Sequence, residues 1–169
     1  LGHDDFKDVD VRGKVAVYLA GAPASFGNTQ RAFHASGREK MAQLAARLGR
    51  LKDSEALLRR ALELAPDFIA AKSNLAGIFY RQNRFEEAVE LLDTVLQVEA
   101  DDAGGQTLMA AALGRIGEYD EALALYGALT QRFPQHAKLW MSFGHVLKTV
   151  GQQDEGIAAY RRALAIEPT

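Results

Sequence analysis

Apolar positions along this chain are of two kinds, large and small, and from Ala35 onward they keep a fixed phase of 34 residues. In one half of each period Met41, Leu75, Met109 and Phe143 recur, each followed at once by a small residue: Ala42, Ala76, Ala110 and Gly144. In the other half come Ser54, Ala88, Ala122 and Gly156, then Leu58, Leu92, Tyr126 and Tyr160, then Ala61, Val95, Leu129 and Ala163. Small residues at fixed points let two helices approach closely, while large ones fill the space between successive pairs. Between the halves lies a turn slot held by Gly49, Asn83, Gly117 and Gly151. Asparagine best shares glycine's tolerance of left-handed backbone, so its presence at one of the four keeps the pattern intact. Pro66, Pro134 and Pro168 close their periods, with Ala100 at the missing step, and proline cannot continue a helix.

The pattern predicts four units, 35–68, 69–102, 103–136 and 137–169, each reading helix, short turn, helix, break. The expected fold class is therefore all-α, a superhelix of antiparallel helix pairs. A generic bundle of amphipathic hairpins would have no reason to hold such a phase without an insertion.

Residues 1–34 break the pattern and are expected to form an N-terminal extension. Val15, Val17 and Leu19 alternate with Ala16, Tyr18 and Ala20, the period of a strand. Gly21, Pro23 and Gly27 then punctuate a turn or loop. One or two strands cannot bury both faces alone. The extension is expected to be irregular or a β-hairpin, either capping the first unit or largely disordered, with a helix beginning near Ser36. The chain opens on Leu1 rather than methionine, which reads as a fragment or a processed product.

Composition narrows the partners. Apolar residues make up 48% and charged residues 25% of the chain, a globular balance rich in alanine and leucine. The 20 basic and 22 acidic residues leave a formal charge of −2, which gives no footprint for nucleic acid or an anionic membrane. No apolar run approaches the ~20 residues that span a bilayer. The apolar stretch after Lys14 follows Asp4, Asp5, Asp8 and Asp10, where a secretory signal would start basic. The chain has no cysteine, which removes disulfides, thiol catalysis and cysteine metal sites, and fits a reducing, cytoplasmic compartment.

Nothing in the sequence forms a catalytic or metal constellation. His3, His34, His136 and His145 include no pair spaced as zinc ligands on one helix. The aspartates before Val15 lack the spaced glycine and terminal glutamate of a calcium loop. Ser25 has no nucleophile-elbow context, and Gly21-Ala22-Pro23 is followed by no Gly-Lys-Ser/Thr. Glu86-Glu87 and Asp120-Glu121 open second helices, where they favour the positive end of the helix dipole. No enzyme activity, cofactor or metal is expected.

The repeating positions resemble those of the tetratricopeptide repeat family. The last unit carries nearly the whole family pattern in Trp140, Phe143-Gly144, Gly151, Gly156, Tyr160, Ala163 and Pro168. The others depart at the first-helix aromatic, where Arg38, Lys72 and Gln106 stand. The resemblance implies a superhelix that binds a peptide or a neighbouring domain along its concave face. Two further likenesses are weaker in extent. The stretch from Leu1 to Phe26, followed by SGREKMAQLAA, resembles part of the protease-associated domain of zinc aminopeptidases, over residues 1–46. The repeats are also similar to the region preceding the catalytic domain in bacterial repeat-containing sulfotransferases. That resemblance implies an alternative role, presenting substrate to a catalytic domain that uses a phosphoadenosine-phosphosulfate donor.

In such an array the first helix of each unit lines the concave face. The candidate groove residues are Arg47 in unit one, and Ser73, Gly77, Tyr80 and Arg81 in unit two. Unit three supplies Thr107, Ala111 and Arg115, and unit four supplies Lys138, Met141, His145 and Lys148. Arg47, Arg81 and Arg115 recur at one position; they read either as a cationic track for an acidic or extended peptide, or as complements to helix C-terminal dipoles. Some family members hold the C-terminal carboxylate of heat-shock chaperones with a Lys/Asn clamp. Asn74 and Lys138 are isolated members of that set, so chaperone-tail binding is not expected. The expected partners are protein or peptide, with neither nucleic acid nor membrane among them. An apolar end face beyond the last unit makes self-association an expectation as well.

Overall fold

The computed structural model describes residues 28–168, with side chains from His34 onward. Among the described residues there are eight helices and no strand. They are α1 (Asn28–Arg47), α2 (Leu51–Leu64), α3 (Ile69–Arg81), α4 (Phe85–Leu96), α5 (Ala103–Ile116), α6 (Tyr119–Arg132), α7 (Ala137–Thr149) and α8 (Gln153–Ile166). The fold is an all-α array of tetratricopeptide type. The strand and hairpin expected before Gly27 lie outside the described residues.

Each helix packs on its neighbours in sequence. In addition α1 touches α3, α3 touches α5 and α5 touches α7, whereas no two of α2, α4, α6 and α8 pack together. The first helices are thus drawn together and the second helices splayed apart. This puts α1, α3, α5 and α7 on the inside of the curve.

The backbone at the turns explains their residue types. Gly49, Gly117 and Gly151 have φ of 75°, 94° and 86°, and Asn83 has φ of 61°. All four lie in the left-handed region that other side chains avoid. Asp102 caps α5 by accepting a hydrogen bond from the Gly104 N–H at 2.9 Å.

The helix expected near Ser36 instead begins at Asn28. Nothing between Gly27 and Gly37 stops a helix, and Gly37 within it costs only about 1 kcal/mol of propensity. The repeat pattern therefore opens at Ala35 inside a helix that begins earlier.

The core follows the phase of large and small residues. Ala42, Ala76, Ala88, Ala110 and Ala122 are fully buried at the helix crossings. Leu58, Leu92, Val95 and Leu129 are the largest of the fully enclosed apolar side chains. One cluster gathers α1 to α4 around Leu57, Leu58, Leu75 and Phe79; a second gathers α5 to α7 around Leu113, Tyr126, Leu129 and Val146. In unit one the family's aromatic slot is taken by Arg38, which is only 4% exposed and beside the equally buried Glu39. In unit four Trp140 holds that slot, donating its indole N–H to the Pro134 carbonyl at 3.0 Å and leaning on Phe143.

Candidate functional site

Two adjoining hollows open along the inner face over α5, and both are bordered by Tyr80 and Ala111. The first, of about 520 Å³, is walled by Leu108, Leu139 and Phe133 over a floor of Ala103, Gly104 and Thr107, with His136 at its edge. The second, of about 360 Å³, is the more polar of the two: Arg115, Tyr119, Tyr126, Ser142, His145 and Thr149 border it. Small residues at Gly104, Ala111 and Gly114 leave this room, since any larger side chain there would fill it.

The candidate residues from the sequence are not all in one place. Tyr80, Thr107, Ala111, Arg115 and His145 come together around the two hollows. Ser73 and Gly77 are half-buried on α3. Lys138, Met141 and Lys148 are exposed on α7 outside the hollows' linings, with Met141 42% exposed. Arg47 is exposed at the end of α1. Leu108, Phe133, Leu139, Tyr119, Tyr126 and Ser142 border the hollows and were absent from the sequence selection. The phase had marked Tyr126 as packing only; its ring does pack, and it lines the groove as well.

Electrostatics distinguish the arginines. Arg81 donates from Nη1 to the Ala46 carbonyl at 3.1 Å, in the last turn of α1, so it ties α3 to the helix of the preceding unit. Arg115 lies with its guanidinium 4.6 Å from the centre of the Phe85 ring, and Phe85 meets Tyr80 edge-on at 5.3 Å. Among the described residues no carboxylate pairs with Arg115. Burial pushes the Tyr126 phenol above its ordinary pKa, with a Ser142 hydrogen bond acting the other way. His145 Nδ1 lies 3.2 Å from the Tyr160 hydroxyl, a contact that fixes its ring at the groove's edge. Asn74, one of the two clamp-like residues, donates to Glu39 at 2.6 Å and is spent on packing α3 to α1.

The outer face differs in chemistry. A hollow of about 650 Å³ between α2 and α4 has Leu62, Leu75, Phe79 and Leu91 at its base and Glu63, Glu87, Glu90 and Arg59 around it. Beside it Arg84 bridges Glu55 and Glu87 while stacking 4.0 Å from the Phe79 ring centre. Among the described residues no group of three or more acidic or histidine side chains is placed to hold a metal ion, and no helix is long and apolar enough to cross a membrane.

Comparison with known proteins sets this geometry in context. Two tetratricopeptide repeat family models match, one over residues 42–112 and the other over 107–169. No curated protein matches the sequence. Similar solved structures include a MamA fragment from Desulfovibrio magneticus RS-1, at TM-score 0.74 and 19% identity, over 80% of this chain and 76% of that one. MamA MSR-1 matches at TM-score 0.72 and 18% identity, over 86% of this chain and 80% of that one. At this identity the likeness is one of fold. The matches give no support to the sulfotransferase or protease-associated resemblances.

Proposed function

We propose that this chain, which carries tetratricopeptide repeats across residues 42–169, is a non-catalytic scaffold that binds a peptide or a neighbouring domain along its inner face. The observation that carries the reading is the continuous groove formed by the two hollows over α5. Its floor is kept open by small residues and its walls offer apolar, aromatic and hydrogen-bonding groups together. Few convergent polar groups on a largely apolar concavity are the usual makings of a binding site.

Ala111 borders both hollows, so Ala111→Leu plugs the groove without altering its charge. In a pull-down from the source cells, this variant is expected to lose the proteins that the parent chain retains. Glu90→Lys on the outer face is expected to keep them. The opposite result, retention by the plugged variant and loss by Glu90→Lys, would place binding on the outer face.

A second surface supports self-association. Ile157 and Leu164 on α8 are 47% and 50% exposed, whereas Val89 and Leu96, their equivalents on α4, are half-buried against other elements. End-to-end contact between copies through this face is the accompanying reading. Leu164→Lys is expected to lower the mass seen by light scattering if copies join there; an unchanged mass removes it.

A further inference from the structure

The inference concerns what kind of peptide the groove selects, and it rests on the groove reading above. The two hollows differ in chemistry as well as position. Leu108, Leu139 and Phe133 make the first a socket for an apolar side chain. The second is lined by Arg115 together with Tyr119, Tyr126 and Ser142, the last two hydrogen-bonded to each other. Neither lining contains an acidic side chain. Asp102, next to the first hollow, is turned to the end of α5, where it caps the Gly104 N–H. Lys138 and Lys148 are exposed on the adjoining helix. Charge along this face is therefore of one sign.

Arg115 is held ready for a ligand. The Phe85 ring supports one face of its guanidinium, which fixes the side chain while leaving its N–H donors free to meet a carboxylate in a forked pair. An arginine pre-positioned in this way loses less side-chain freedom on binding than a free one.

The spacing sets a register. Thr107 sits in the first hollow and Gly114 in the second, seven residues apart on α5. At 1.5 Å rise per residue that is about 10 Å along the helix, the length covered by about three residues of polyproline II peptide, whose three-residue turn returns side chains to one face. We propose that the groove binds a peptide segment in polyproline II conformation carrying an apolar side chain and, three residues away, an aspartate or glutamate. The apolar side chain enters the Leu108–Leu139–Phe133 socket, and the carboxylate meets Arg115.

An array of immobilised decapeptides tests this with the whole chain as the soluble probe. Each peptide carries one leucine in a Gly-Ser background, with Asp, Asn or Lys placed one to six residues from it. The expected result is strongest binding for Asp at a separation of three, at least about tenfold over Asn or Lys at the same place. In Arg115→Met, whose stem still covers Phe85, the preference for Asp disappears while the need for leucine remains. Ala111→Leu abolishes both. Circular dichroism and melting of each variant confirm the fold. Binding that requires leucine yet treats Asp, Asn and Lys alike overturns the inference and leaves the groove reading standing. So does an Asp preference that survives Arg115→Met. Absence of binding by every peptide overturns the groove reading and this inference together.

Discussion

Gly144 on α7 and Gly156 on α8 face each other so closely that a β-carbon on Gly144 would lie 3.2 Å from the Gly156 carbonyl oxygen, and one on Gly156 would lie 3.3 Å from that of Gly144. The other units put Ala42, Ala76 and Ala110 at the first of these positions and Ser54, Ala88 and Ala122 at the second. The last helix pair is therefore the one in which both crossing residues lack a side chain.

The same β-carbon on Gly144 would also meet the Tyr160 ring at 2.8 and 2.9 Å. Gly144→Ala gains up to about 1 kcal/mol in helix propensity, but overpacking of this kind costs about 1–3 kcal/mol. A net loss of about 1 kcal/mol is expected in urea unfolding. Tyr160→Leu in the same background is expected to recover part of it, so that the double variant loses less than the sum of the singles.

Ser54 occupies the equivalent crossing of the first unit, 1% exposed, and its hydroxyl has no hydrogen-bond partner among the described residues. A buried hydroxyl without a partner costs about 1–3 kcal/mol relative to its hydrated state. Ser54→Ala, the residue found at this place in units two and three, is expected to raise stability by about 1 kcal/mol. A lower melting temperature would show that the hydroxyl is satisfied in solution.

Asn83 and Gly117 show how far a turn could be read from residue type alone. Both slots were marked by spacing, and both adopt positive φ. Asn83→Ala is expected to cost about 1 kcal/mol because a β-carbon is disfavoured there without asparagine's local hydrogen bonding, while Asn83→Gly stays within a few tenths. Equal losses from the two variants would point to a role for the Asn83 side chain beyond its backbone. Spacing was legible because turn geometry is local. The buried Arg38 and Glu39 were not legible, since what shelters them comes from other helices: Asn74, 35 residues away, supplies the hydrogen bond to Glu39. Tyr126 and Ser142 were missed as groove residues for the same reason. They border the hollow only once α6 is docked against α7.

Glu55 links the first two units. Burial alone would raise its pKa, but hydrogen bonds from Arg84, Gln82 and Arg59 outweigh it and hold the carboxyl below its ordinary value. A carboxyl whose folded pKa is depressed contributes stability above its unfolded pKa, and loses it as pH falls through the folded value. Glu55→Gln is expected to cost about 1 kcal/mol at pH 7, a modest figure for a network partly open to water. The gap between parent and variant should hold down to about pH 5 and close below about pH 4. A gap that stays constant into acid would show that the charge of Glu55 is not what matters.

Arg81 is expected to act on stability more than on binding. Arg81→Met removes its hydrogen bond to the Ala46 carbonyl and keeps most of its stem, so a loss of about 0.5–1 kcal/mol is expected. Hydrogen exchange should quicken at the end of α1 and leave α7 unchanged. Peptide affinity on the array should hardly move. If it fell as far as in Arg115→Met, the arginines would form one track.

The backward reach of these arginines has a mechanical consequence. Arg81 holds the end of α1, and Arg115 leans on the opening of α4, so units two and three each grip the unit before them. Tension along the array would then meet an arginine hold between units one and two and another between units two and three, and, among the described residues, none at the last pair. The array is in this sense a spring that uncoils from one side, and a ligand bridging α3, α5 and α7 would stiffen its middle turns.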